Sequence, residues 1–432
     1  MDKISIFWFR RDLRLNDNHG LFEALNNNKT VLPIFIFDKN ILDKLPKNDA
    51  RVNFIHTQLL KINLQLKEVN SSLHVFYGNP IDIYQELLKK YDIISVYTNR
   101  DYEPYASERD QAILELLDKN NISFKSFKDQ VIFEEKEITK DDGNPYKVYT
   151  PYSKKWLSTF TPEHSKPYTS EKLLDNFVKI DNQEIMSLDE MGFENSTIQI
   201  PDYKISTTLI NEYEAKRNFP AINATSKLGI HLRFGTISVR EAVNKSLKSD
   251  NITFLKELIW REFFMQILWH FPHTITKAFK PKYDNIEWRN NKEDFKNWCE
   301  GKTGYPLVDA GMRELNKTGF MHNRVRMLVG SFLCKHLLID WRLGEAYFAE
   351  KLLDFELSSN IGNWQWVAGC GVDASPYFRI FNPTTQIQKF DKQLEYIKKW
   401  VPEFQELTYP AQIVDHKFAR ERCLETYKKA LD

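Results

Sequence analysis

Cysteine is scarce: Cys299, Cys334, Cys370 and Cys423 are the four in 432 residues, and they are scattered. That excludes a disulfide framework and any metal site built on closely spaced thiols, and reduced thiols in a cytosolic protein are the expectation. No run of about 18 apolar residues occurs, so no membrane-spanning helix is expected. The opening MDKISIFWFRRDLR lacks a signal-peptide pattern. Net charge is almost absent at +1, so no global electrostatic pull toward nucleic acid exists. No GxGxxG follows the first apolar segment, which removes support for ordinary dinucleotide binding there. No internal repeat or low-complexity tract is evident.

What is there is unevenly distributed. Residues 1–200 hold 26 Lys+Arg against 31 Asp+Glu, and residues 201–432 hold 34 against 28. A local basic face on the second half can meet phosphates without a basic isoelectric point. Hydrophobic content of 42% and charged content of 28% fit a soluble protein of two or more domains. In the first 130 residues, ISIFWF, VLPIFIF, LHVFYG, DIISVYTN and ISFKSF read as short apolar strands. Longer helical patterns over 50–69 and 105–119 lie between them. Strand–helix alternation predicts a parallel α/β sheet. Residues 130–205 lose this rhythm and read as a connector with little regular structure. From about 206 the pattern is helical to the end. The expected fold is a Rossmann-like parallel-sheet domain (1–130), a long connector (131–205) and an all-α domain (206–432).

The most informative stretch runs from Gly301 to Pro383 and contains GKTGYPLVDAGMRELNKTGFMHNRVRM, DWRLGEAYF and LLDFELSSNIGNWQWVAGCGVDASPYFRIFNP. Aromatic and polar residues interleave here at helical spacing. Buried polar groups cost free energy unless paired, so the pattern suits a pocket for a planar, redox-active ligand better than an ordinary core. Glu257, Trp260, Arg261 and Phe264 fall at i, i+3, i+4 and i+7 of one helix face, as do Phe320, Asn323, Arg324 and Met327. Trp364 and Trp366, two residues apart, face different sides of a helix.

These segments resemble the photolyase/cryptochrome family, with class I cyclobutane pyrimidine dimer (CPD) photolyases the nearest pattern. ISIFWFRRDLRLNDN is similar to that family's opening strand and turn, YEAKRNFPAINATSKLGIHLRFGTIS to its phosphate-binding segment, and FLKELIWREFF to its substrate helix. The resemblance covers nearly the whole chain except about 165–205. It implies non-covalent FAD, active as FADH⁻, and UV-damaged DNA as partner, with the dimer flipped out of the duplex. It further implies light-driven electron donation to the dimer, splitting of the cyclobutane bonds and return of the electron.

By the same resemblance, Glu257, Trp260, Asn323, Met327 and Trp366 form the dimer pocket. Trp364, Trp341 and Trp288 form an electron-hopping chain. Tyr213 and the run Thr225, Ser226, Lys227, Leu228 and Gly229 wrap the FAD phosphates, while Arg261, Arg326, Asp354, Glu356 and Asn360 surround the flavin. Arg324 and Arg379 meet DNA phosphates. The chain departs from the family pattern at Phe320 (often Trp), Gly229 (usually Ser) and Glu356 (often Asp). Tyr105 and Ala106 replace the Asn-Glu pair of folate-binding relatives, so an antenna of that type is not expected, and a second chromophore of another kind stays open. No metal is expected, and the protein is expected to act as a monomer. The alternative is a cryptochrome-type blue-light photoreceptor that binds FAD without repair. Against it stand the full pocket set and the WQW and MHNR sequences.

Overall fold

In a computed structural model that describes residues 3–432, the chain divides into two compact units. One comprises residues 3–134, 160–203 and 227–248. The other comprises residues 135–159, 204–226 and 249–432.

The first unit is built on five parallel strands: β1 (Lys3–Phe9), β2 (Val31–Asp38), β3 (His74–Gly78), β4 (Asp92–Asn99) and β5 (Ser123–Phe127), in the order β3-β2-β1-β4-β5. All five expected strands form. β2 is buried along its whole length, as a sheet covered on both faces requires. Pro33 is tolerated in this interior strand because pairing with β3 begins one residue later, at Ile34 opposite His74. Buried charges lock the unit together. Asp129 accepts from Arg14 at 2.6 Å and from Arg240 at 2.7 Å, and Arg240 reaches Asp17 at 2.8 Å. Burial raises the Asp129 pKa, but the two guanidinium groups outweigh it and hold the carboxyl at about 2.

The second unit is helical. Its core gathers Trp298, Met312, Leu328, Phe332, Trp341 and Trp364. The stretch 131–205, expected to have little regular structure, carries the helix Tyr149–Thr159, with Tyr149, Tyr152 and Trp156 buried. Those aromatics recur at i, i+3 and i+7, a helical signal that Pro151 and the neighbouring polar residues obscured. Trp156 and Tyr152 both donate to the buried Glu262 carboxylate, at 2.6 and 3.2 Å. No described helix is long and apolar enough to cross a membrane.

Candidate flavin and substrate site

Three helices of the second unit shape the site: Thr253–His270, Asn323–Ser331 and Leu357–Ala368. The first and third approach closely because Gly362 has no side chain; a Cβ there would lie 2.2 Å from the Phe264 ring. His322 caps the second helix through Nδ1, which accepts from the Arg324 N–H at 3.2 Å.

Between these elements opens a cleft. Asn323, Arg326, Met327, Asp354, Glu356, Asn360, Trp364 and Trp366 all line it. Trp364 and Trp366, two residues apart, are expected on different helix faces. Trp364 is indeed buried and Trp366 half-buried, yet both reach this cleft. Arg326 donates to both Asp354 oxygens, at 3.1 and 2.9 Å, while its Nε holds the Met321 carbonyl at 2.7 Å. Asn360, which lines the cleft, donates through Nδ2 to Glu345 Oε1 at 2.8 Å and to the Glu345 carbonyl at 3.1 Å. Burial raises the Glu345 pKa, and the Asn360 hydrogen bond opposes this. Arg261 reaches the cleft wall through Glu356, with Nε 3.1 Å from Oε2.

The helix Thr253–His270 carries a second group. Glu257 is ion-paired with Arg217. Trp260 is stacked on Tyr149. Tyr213 packs edge-on to Phe254, beneath the Arg217 guanidinium. Burial pushes the Tyr213 phenol up to about 12, and the Glu257 carboxylate adds to the effect. Burial and the like charges of Arg217 and Arg379 lower the Arg324 pKa, so three guanidinium groups share one region. Arg324 also donates to Asn218 and lies over the Phe390 ring at 4.3 Å. Glu257, Trp260 and Tyr213 are not among the residues lining the cleft. The Thr225–Gly229 run passes from one unit to the other after Ser226, and Lys227 has a left-handed φ of 55°.

Trp364 and Trp341 belong to one buried core, and Trp288 packs against it half-buried. A Cβ at Gly344 would lie 2.2 Å from Trp364 Cη2, so the helix Trp341–Lys351 presses directly on that indole. Trp341 stands one turn before Gly344 on the same helix face.

Four neighbours escaped the sequence reading: Arg217, Tyr149, Glu345 and Trp298, the last with its ring centroid 6.2 Å from Trp364. Arg217 and Glu345 each lie four residues beyond a nominated residue, Tyr213 and Trp341, so helical spacing carried a signal for both. Tyr149 carried the aromatic spacing of its own helix but nothing that tied it to Trp260, and nothing local marked Trp298.

The cleft combines a planar-aromatic wall, an Arg–Asp pair and an amide presented at its edge. Residues 254–408 match the profile of the FAD binding domain of DNA photolyase, and residues 5–170 match that of DNA photolyase. A deoxyribodipyrimidine photo-lyase from Agrobacterium fabrum is 36% identical over 98% of this chain and 97% of its own. The chain belongs to the photolyase/cryptochrome family. A deoxyribodipyrimidine photo-lyase from Escherichia coli is 32% identical, with 98% of each chain covered. Among solved family structures, a bacterial class III photolyase from Agrobacterium tumefaciens superposes with a TM-score of 0.87 at 33% identity, covering 100% of this chain and 98% of that one. An archaeal photolyase from Sulfolobus tokodaii, solved with two FAD molecules, superposes with a TM-score of 0.85 at 34% identity, covering 99% and 100%. The site residues fit FAD: the cleft walls supply ring-stacking, cationic and amide groups.

Proposed function

We infer that this protein is a deoxyribodipyrimidine photolyase that repairs cyclobutane pyrimidine dimers in UV-damaged DNA under blue light. The observation that carries the reading is the shared cleft. Asn323, Met327 and Trp366, nominated for substrate, line the same walls as Arg326, Asp354, Asn360 and Trp364, nominated for the flavin. Such an arrangement suits electron exchange between two ligands held side by side.

FAD, when bound in its reduced form, would supply the photochemistry, an excited-state electron for the dimer. The protein's own part is to bind, orient and stabilise. Arg326 with Asp354, Arg261 with Glu356, and Asn360 hold and orient the ring system. Tyr213 and the Thr225–Gly229 run serve the phosphates. Trp260 and Trp366 flank the flipped dimer with apolar aromatic faces, and Met327 fills the gap as a soft contact. Asn323 offers both a donor and an acceptor. Glu257 serves the dimer carbonyls once Arg217 turns to a phosphate. Arg217, Arg324 and Arg379 supply the cationic surface for the strand, so binding falls as salt rises. Trp364, Trp341 and Trp288 pass an electron inward when the flavin is oxidised.

The class I placement rests on the intact MHNR-x-RM run, Met321 to Met327. The reading is tested by reconstitution: the protein takes up one FAD per chain, and the holoprotein prefers dimer-containing over intact DNA. A chain that folds yet stays colourless with FAD contradicts it.

A further inference from the structure

The helix Asn323–Ser331 runs on into a π-helical turn, Phe332–His336. Such turns redirect side chains and recur at functional positions. This one places Lys335 inside the core, 1% exposed, with Nζ donating to the Arg379 carbonyl oxygen at 2.8 Å. A buried ammonium costs free energy, and it is usually offset by a carboxylate. The groups that act on Lys335 are instead Cys423, Cys334 and Arg379. An apolar side chain of similar size would suit the core better, so the ammonium serves something other than stability.

That something lies in the loop that leaves the helix Leu357–Ala368. Arg379 is exposed on it, and its charge is felt at Arg324. The same loop is fastened upstream, where Asp373 Oδ2 accepts from the Tyr149 N–H at 3.1 Å. We infer that Lys335 is a positioning residue for DNA binding: by gripping the Arg379 carbonyl, it holds the Arg379 guanidinium in the cationic surface shared with Arg324 and Arg217. The inference rests on the reading of Arg379 as a phosphate contact.

The grip depends on charge. Burial lowers the Lys335 pKa to about 8, so the ammonium becomes a weaker neutral donor just above physiological pH. The other titratable groups around it stay silent there. Burial pushes Cys423 up to about 12 and raises Cys334, Cys370 and Tyr427 well beyond their usual ranges. Burial also holds His336 at about 3 and lowers His416.

The test measures Kd of the FAD-loaded protein for a CPD-containing oligonucleotide against salt and from pH 7 to 9.5. The proteins compared are wild type, Lys335→Met, Arg379→Ala and the double variant. Lys335→Met is expected to bind several-fold more weakly, with the slope of log K against log salt reduced by up to about 1. Its FAD content should be unchanged and its Tm at or above wild type, which a merely structural lysine would not give. The double variant should bind no worse than Arg379→Ala, because both changes break one contact. Wild-type affinity should decline through about pH 8, and both single variants should lack that step. Should Lys335→Met fold poorly, Lys335→Gln and the wild-type pH profile carry the same test. Wild-type affinity and pH dependence in Lys335→Met, or additive losses in the double variant, overturn the inference alone. Wild-type affinity in Arg379→Ala overturns the phosphate reading beneath it.

Discussion

Tyr149 lies flat against Trp260, with ring centroids 3.7 Å apart and planes inclined by 7°. The phenol oxygen donates to the Lys256 carbonyl at 2.8 Å, one turn before Trp260. Trp260 is thus backed on one face by a ring that is itself tied down, and its orientation for an incoming base is set in advance. Tyr149→Phe keeps the stack and loses one hydrogen bond, about 1 kcal/mol of stability. Tyr149→Ala removes the backing as well and should cost about 3–5 kcal/mol. Denaturant titration separates the two. Affinity for dimer-containing DNA should drop for Ala and not for Phe.

Trp364 is gripped by Gly344, where any side chain collides with the indole. Gly344→Ala should destabilise by about 1–3 kcal/mol through overpacking. Trp364→Phe relieves no strain and keeps an aromatic, but phenylalanine is far harder to oxidise. Light-driven reduction of the oxidised flavin should slow sharply in that variant. Repair after chemical reduction should largely persist, because it does not draw on the tryptophans. Flavin absorbance under blue light, followed by a repair assay on the dithionite-reduced protein, gives both answers.

Glu345 holds the Asn360 amide while its own pKa is raised by burial. A carboxyl whose folded pKa lies above its unfolded value holds its proton more tightly when folded. Stability therefore falls as pH rises from the unfolded value through the folded one, and the loss persists at neutral pH. Glu345→Gln keeps an acceptor for Asn360 Nδ2 and removes the titration. It should melt higher than wild type at pH 7, with the advantage vanishing toward pH 4. Thermal melts across that range check the sign.

Glu257 is paired with Arg217 and stands beside Trp260 on one helix. Glu257→Ala should leave flavin content intact and lower the quantum yield of repair, since a carboxyl that hydrogen-bonds the dimer stabilises charge developing there. Wild-type yield with saturating substrate would remove Glu257 from the dimer contact.

Much of this was legible in the sequence because it depends on local periodicity. The five strands announced themselves as short runs of Val, Ile, Phe and Tyr. The helix bearing Glu257 and Trp260 showed its face by spacing alone; the face expected from Phe320 to Met327 holds only from Asn323 onward, because the helix starts there after its His322 cap and leaves Phe320 in the turn before it. Partners that meet only through tertiary packing were not legible. Tyr149 sits 111 positions before Trp260 in the sequence, in a stretch whose prolines and polar residues read as connector. Trp298 meets the Trp364 ring, with centroids 6.2 Å apart, across 66 positions of sequence. The inward turn of Lys335 depends on a π-helical turn for which VGSFLCKH shows no signal.

The most direct test is repair itself. A defined oligonucleotide carrying one cyclobutane thymine dimer is incubated with the FAD-loaded, reduced protein under blue light and, in parallel, in darkness. Restored thymines in the illuminated sample and an unchanged dimer in the dark are the predicted result. Equal dimer content in both, with a protein that binds FAD and photoreduces it, would contradict the account and leave a flavin photoreceptor in its place.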